Sequence, residues 1–121
     1  METETTYTVT REATVRYTLH GGSDTTAREE AADEVAGRLE ALTGRGDLTD
    51  GQVAGSQIHE HPAAPFEPYT VSVSITVAVT VDAPDAERAE RAGARTIADA
   101  LAASELDSVS YTSPPRFSET A

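Results

Sequence analysis

The stretch from residue 69 to residue 81, YTVSVSITVAVTV, restricts the fold of this chain more than any other. Val71, Val73, Ile75, Val77, Val79 and Val81 alternate without a break against Thr70, Ser72, Ser74, Thr76, Ala78 and Thr80. Side chains along a strand point to opposite faces with period two, so this is one long strand with an apolar face and a face of small, mostly hydroxylated side chains. A sheet built around such a strand is covered on one side only, which places the chain in the α+β class. Residues 7–19 repeat the pattern, with Tyr7, Val9, Ala13, Val15, Tyr17 and Leu19 on one face and Thr8, Thr10, Thr14 and Thr18 on the other. Arg11 interrupts the apolar face, where its aliphatic stem can pack while its guanidinium reaches water.

Between these strands His20-Gly21-Gly22 marks an end, and Thr26 with Glu29 three residues on predicts a capping box at the start of a helix. Ala27, Ala31, Val35, Leu39 and Leu42 then recur at helical spacing, with Arg28, Glu30, Asp33, Glu34, Arg38 and Glu40 facing outward, and Gly44 and Gly46 stop the helix. Residues 43–56 read as a Gly-rich surface loop. Its Arg45-Gly46-Asp47 carries no weight as a three-letter string, and Asp47 and Asp50-Gly51 lack the alternating acids and distal Glu of a calcium loop. Residues 57–61 read as a short second strand anchored by Ile58 and beginning no earlier than Val53. Pro62, Pro65 and Pro68 make an extended connection with Phe66 available to pin it.

After the central strand, Asp82-Ala83-Pro84 predicts a helix start, with Asp85 and Glu87 in the positive first turn. This helix runs to about Ser104 with Ala86, Ala89, Gly93, Ile97, Ala100 and Leu101 on one face; Gly93 reads as a point of close approach to the sheet. Residues 106–112 predict a last strand through Val109 and Tyr111, closed by Ser113-Pro114-Pro115, and residues 113–121 read as a flexible tail. The spacing from Tyr7-Thr8-Val9 to Tyr69-Thr70-Val71 is 62 residues, and the same offset aligns Val15 with Val77, Val35 with Ile97 and Leu39 with Leu101. A phase kept through strand, turn and helix implies two structural half-repeats, about 5–61 and 67–112, within a single domain of residues 1–121. Each half is strand-helix-strand, and together they give the ferredoxin-like split βαβ order βαββαβ. That is a four-stranded antiparallel sheet with both helices on one face and strands 1 and 3 central.

Composition bounds the chemistry. There is no cysteine, so disulfides and thiolate chemistry are excluded. No apolar run approaches the roughly 18 residues of a membrane helix, and the N-terminus shows no basic segment followed by an apolar one. These features predict a soluble, cytoplasmic protein without a membrane partner. The 21 acidic residues stand against 9 basic ones, every one of them Arg, for a net charge of -12. Such a charge repels a polyphosphate backbone, which excludes general nucleic-acid binding. The Lys-free, acidic, Thr-rich composition resembles that of halophilic archaeal proteomes, in which molar salt shrinks the Debye length to roughly 3 Å and screens the self-repulsion.

Candidate functional residues are few. In the expected topology strands 1 and 2 run in the same direction, so His20, His59 and His61 emerge at one end of the sheet. With Glu60 or Glu67 nearby, imidazoles so placed suit a transition metal or acid–base chemistry. Strand 3 separates them, so long side chains or a second protomer would have to close the gap. No phosphate-cradling glycine motif, G-x-S-x-G or H-E-x-x-H is present, and no cofactor is evident. The open sheet face, carpeted by Thr and Ser, is the more general feature: small side chains there permit stacking on the same face of another copy. The expectation is a non-enzymatic module that self-associates through that face or binds a small ligand or protein partner, with the histidine end as the alternative site. The charge leads to a direct expectation for stability. The melting temperature followed by circular dichroism rises between about 0.05 and 3 M KCl, and equal melting temperatures at both ends would remove the adaptation to high salt.

Overall fold

The structure is a computed structural model and describes residues 4–64, 67–104, 106 and 108–119. At its centre the two alternating segments lie antiparallel as β1 (Thr5–Leu19) and β3 (Tyr69–Ala83), and they pair along their whole length, from Thr5 opposite Ala83 to Leu19 opposite Tyr69. β2 (Asp50–Glu60) pairs with the outer side of β3, and β4 (Ser110–Tyr111) and β5 (Arg116–Glu119) both pair with the outer side of β1. The order β2-β3-β1-β4 is the ferredoxin-like arrangement expected from the pattern. α1 (Asp24–Arg45) and α2 (Ala86–Ala103) cover one face, because Ala27, Val35 and Leu39 of one and Ile97 and Leu101 of the other share a single core with Val9, Val15, Val73 and Val77.

The offset of 62 that aligns the halves in sequence also aligns their interiors. The buried stripe Ala27, Ala31, Val35, Leu39 of α1 falls on Ala89, Gly93, Ile97, Leu101, all buried on α2. Ala13 and Ile75, equivalent under that offset, are also direct partners across the β1–β3 ladder. The pseudo-two-fold axis relating the halves therefore passes through this one pair. Two equivalent strands side by side place two equivalent helices on the same face, which is what the apolar odd positions require.

Local structure departs from expectation at several points. Ser23, not Thr26, caps α1: its hydroxyl accepts from the Thr26 N–H at 3.2 Å, and Thr26 itself is inside the helix. Gly46, at φ 83, closes the other end, its N–H donating to the carbonyls of Leu42 and Thr43. β3 continues to Ala83, so the α2 cap is Asp85, whose carboxylate accepts from the Arg88 N–H at 2.8 Å. The segment read as a loop is largely β2, which starts at Asp50 and reaches Glu60 with register shifts between Val53 and Gly55 and between Ile58 and Glu60. Of the glycines that suggest a loop, Gly51 serves close packing, since a Cβ on it would stand 3.2 Å from Leu39 Cβ.

The last strand shortens to Ser110–Tyr111, because Ser108 occupies the left-handed region at φ 52 and turns the chain before the ladder can begin. Residues 113–121, read as a flexible tail, instead carry β5, which pairs Arg116–Glu119 with the Tyr7–Thr10 stretch. Four residues, 112–115, lie opposite the two residues 11 and 12, and Pro114 and Pro115 within this bulge have no N–H to donate. Arg11 fastens the bulge: its Nε donates to the Ser113 carbonyl at 3.0 Å and its guanidinium lies 3.9 Å from the Tyr111 ring centroid. Phe66, expected to pin the proline connection, lies outside the described residues.

Two tests follow from the packing. Val77 is fully buried mid-strand while Thr76 faces away from the helices, half-buried. Val77→Asp strands a carboxylate in the core at a cost of several kcal/mol and unfolds the domain, whereas Thr76→Asp folds; wild-type urea melts for both variants would reverse the assigned faces. At Gly93, an added Cβ would come within 2.6 Å of Val9 Cγ1, while at the exposed Gly37 nothing lies within 4 Å. Gly93→Ala therefore destabilises by about 1–3 kcal/mol through overpacking, and Gly37→Ala stabilises by up to about 1 kcal/mol through helix propensity.

Candidate functional site

The histidine end of the sheet is built by the starts and ends of three strands. Thr70 lies opposite Thr18 on one side and Glu60 on the other, so His20 and His61 leave the sheet on either side of the first residues of β3. The register shift at Ile58/Glu60 breaks the alternation through His59. His20, His59 and Glu60 are exposed, and no hydrogen bond, ion pair or ring contact joins their side chains to another described residue. Among the described residues, no three of His, Asp and Glu group closely enough to hold a metal ion. The structure thus places His20 just past the end of β1 and His59 and His61 at the end of β2, and among the described residues they join no group of three possible metal ligands. Glu67 is engaged locally, its Oε2 accepting from the Ala63 N–H at 2.9 Å.

His61 does have partners. Its Nε2 donates to Asp24 Oδ2 at 3.1 Å, and its ring meets Tyr69 edge-on with centroids 6.3 Å apart. The Tyr69 phenol is held above its ordinary value of 10.0, first by burial and then by the charge of Asp24 and a hydrogen bond to it. Asp24, in the first turn of α1, therefore gathers an imidazole and a phenol from either end of the β2–β3 connection. A carboxylate on one ring nitrogen fixes the imidazole tautomer and orientation. The visible consequence is mechanical: the connection is tied to the helix start. The sequence reading takes Tyr69 only as the start of the long strand, and no local spacing could reveal the pair of Asp24 and His61, 37 residues apart.

The Arg-Gly-Asp string is folded on itself. Arg45 Nε donates to Asp47 Oδ2 at 3.2 Å across the left-handed Gly46 that caps α1, so neither charge is presented as an extended motif. A different feature, unmarked by any sequence motif, is a cavity of about 510 Å³ beside the last residues of β1, lined by Arg16, Tyr17, Thr18, Arg38, Thr70, Leu106 and Ser108. Arg38 is held in place there, with Nη1 donating to the Ser104 carbonyl at 3.0 Å and Nη2 to Glu34 Oε1 at 3.3 Å. The face of the sheet opposite the helices carries Thr8, Thr10, Thr14 and Thr18 from β1 beside Thr70, Ser72, Ser74, Thr76 and Thr80 from β3, and no large apolar side chain. Among the described residues no helix is long and apolar enough to cross a membrane.

No protein-family model and no curated protein matches the chain. Two solved structures are similar to it. AtUAH in complex with glyoxylate gives a TM-score of 0.39 and 18% identity over 95% of this chain, and AtUAH in complex with (S)-hydroxyglycine gives 0.39 and 17% over 95%. The chain spans 29% of the AtUAH chain in each case. A likeness of this degree carries no argument about function.

The His61–Asp24–Tyr69 contact is open to a direct titration. Removing the Asp24 charge removes two of the three causes that raise the Tyr69 phenol, so Asp24→Asn lowers its pKa toward 10.0 while the contribution of burial remains. Absorbance titration of the tyrosinate at alkaline pH, with Tyr69→Phe to identify the transition, reads the shift; an unchanged transition would break the proposed contact.

Proposed function

We propose that this chain is a non-enzymatic module that pairs with a second copy through the hydroxyl-lined face of its sheet, in a cytoplasm of molar salt. The observation that carries this reading is where the charge lies. α1 holds Asp24, Glu29, Glu30, Asp33, Glu34 and Glu40 against Arg28, Arg38 and Arg45, on the side of the molecule away from the open face. On that face β1 and β3 contribute only Glu12 and Arg16, of opposite sign, between Thr8 and Thr18 and between Thr70 and Thr80, while Asp50 and Glu60 of β2 and Arg116 of β5 stand at its margins opposite Ala78, Thr70 and Thr10. A chain of net charge -12 approaches its own copy at least cost through its least acidic surface. Small β-branched side chains also let two sheets stack about 10 Å apart without voids.

The dimensions agree. β1 and β3 of 15 residues each, β2 of 11, and β4 and β5 of two and four, at about 3.3 Å per residue and about 4.8 Å between strands, present on the order of 750 Å², near the roughly 800 Å² that each partner contributes to a stable interface. Molar salt supports the pairing by screening the acidic helices of the two copies. The histidine alternative, a metal site or imidazole catalysis, has less behind it: His61 is already paired with Asp24, and the described residues hold no group of three possible metal ligands.

Ser74 and Thr80 are exposed on this face, so the monomer tolerates a long side chain at either position. Ser74→Arg with Thr80→Arg places two guanidinium groups in the interface, where desolvation opposes them. Sedimentation at molar salt should show a dimeric wild type and a folded, monomeric variant. A wild type that sediments as a monomer would end the self-association reading, and a variant that stays dimeric would move the interface elsewhere.

A further inference from the structure

We propose that the uncovered edge of β1 is a binding site for an extended, carboxylate-bearing peptide, which adds to the sheet as a strand beside Arg16 and Thr18. On its side away from β3, β1 is covered by β5 as far as Thr10 and by β4 only at Ala13 and Thr14. Among the described residues, no strand pairs with this edge from Val15 to Leu19. The orientation of the backbone there is fixed by its neighbours. The Thr112 N–H donates to the Glu12 carbonyl at 2.9 Å, and the Glu12 N–H donates to Ser113 Oγ at 3.0 Å, so both backbone groups of Glu12 point to this edge. In an antiparallel strand alternate residues share a side, so Arg16 and Thr18 turn their N–H and C=O groups to the same edge.

The gap has a visible cause. Continuing the β4 register past Ser110 opposite Thr14 would bring Ser108 opposite Arg16, but Ser108 stands at φ 52, and the ladder to β4 ends at Thr14. The cavity of about 510 Å³ fills the vacated place. Arg16, Thr18 and, across β1, Thr70 of β3 line it from the open face, Tyr17, Leu106 and Arg38 line it from the helix side, and Ser108 also borders it. A space bordered from both faces at a sheet edge is where a further strand runs, and strand addition of this kind draws affinity from main-chain hydrogen bonds and specificity from alternate side chains. The other free edge, along β2, is broken by two register shifts, which disrupt the ladder for an incoming strand.

The lining states the ligand chemistry. In a chain of 21 acids and 9 arginines, two of the arginines meet at this cavity. Arg16 makes no ion pair with any described residue, and an arginine fork matches a carboxylate in two parallel hydrogen bonds. A strand whose apolar side chains point to Leu106 and Tyr17 turns its alternate side chains to the open face, where Arg16 stands. Alternating apolar and acidic residues therefore fit both walls. This site does not depend on pairing through the sheet face.

The test is a titration of the full-length ¹⁵N-labelled chain with acetylated Val-Glu-Val-Glu-Val-Glu and with its Val-Lys counterpart. The acidic peptide should shift the Arg16 and Thr18 amides and bind at least about tenfold more tightly than the Lys peptide. Arg16→Glu should weaken it by about tenfold or more, and Thr18→Pro, which removes an edge N–H, should abolish it; if Thr18→Pro does not fold, Arg16→Glu decides. Equal affinity for the two peptides, no shift of Arg16 and Thr18 at millimolar peptide, or shifts confined to β2 would overturn the site. So would shifts of these amides that follow protein concentration alone, which would give the edge to a second copy.

Discussion

Everything in this fold is positioned by the uninterrupted antiparallel ladder between β1 and β3, in which 15 residues face 15 and the equivalent residues Ala13 and Ile75 meet at its centre. Because both strands alternate strictly, this one register sends Val9, Ala13, Val15, Val71, Val73, Ile75 and Val77 to the same side, and that side must be covered. Two helices related by the same pseudo-two-fold cover it. Their stripes are poor in bulk, with Ala27, Ala31, Ala89 and Gly93 among the buried positions, so they approach the sheet closely. At Gly93 the approach is so close that Val9 occupies the space of a Cβ. A slip of one residue between β1 and β3 would expose every valine at once, which is why the ladder admits no alternative.

The same constraint explains where function can reside. A core that draws only on the odd face leaves the even face to hydroxyls, and it leaves the acidic excess on the helices and connections. The interior holds no buried charged or polar side chain among the described residues, so chemistry is confined to surfaces, ends and edges. The irregularities of the fold lie on its outer strands: two register shifts in β2, the left-handed Ser108 before β4, and the Pro114-Pro115 bulge that Arg11 holds against Tyr111. Among the described residues, the β1 edge beyond Thr14 and the hydroxyl-lined face keep regular strand structure.

The fold was legible because alternation in β1 and β3 and the 62-residue offset are signals of local periodicity, and both helices carry their buried stripe at helical spacing. β2 was shortened in that reading because Gly51 and Gly55 supply no apolar alternation; its residues are held by backbone pairing to β3, a partner that sequence spacing does not announce. β5 reads as a tail since all four of its residues are exposed and its anchors all lie on β1: the ladder, the Arg116–Glu12 ion pair at 3.3 Å, and Phe117 meeting Tyr7 edge-on at 6.0 Å between centroids. Asp24 as the partner of His61 depends on how the helix start meets the β2–β3 connection, which the sequence does not display. The cavity beside Arg16 depends on a single positive φ at a serine, which no residue type foretells.

The central claim is that the β1–β3 ladder is the unit on which the rest depends, and native-state hydrogen exchange on the intact chain reads it most directly. Amides exchanging only through global unfolding should cluster in the paired centre of β1 and β3, around Val9, Ala13, Ile75 and Val79, with β2 opening at lower free energy and β4 and β5 lower still. Slowest exchange in α1 or β2, with the β1–β3 amides opening first, would contradict this account.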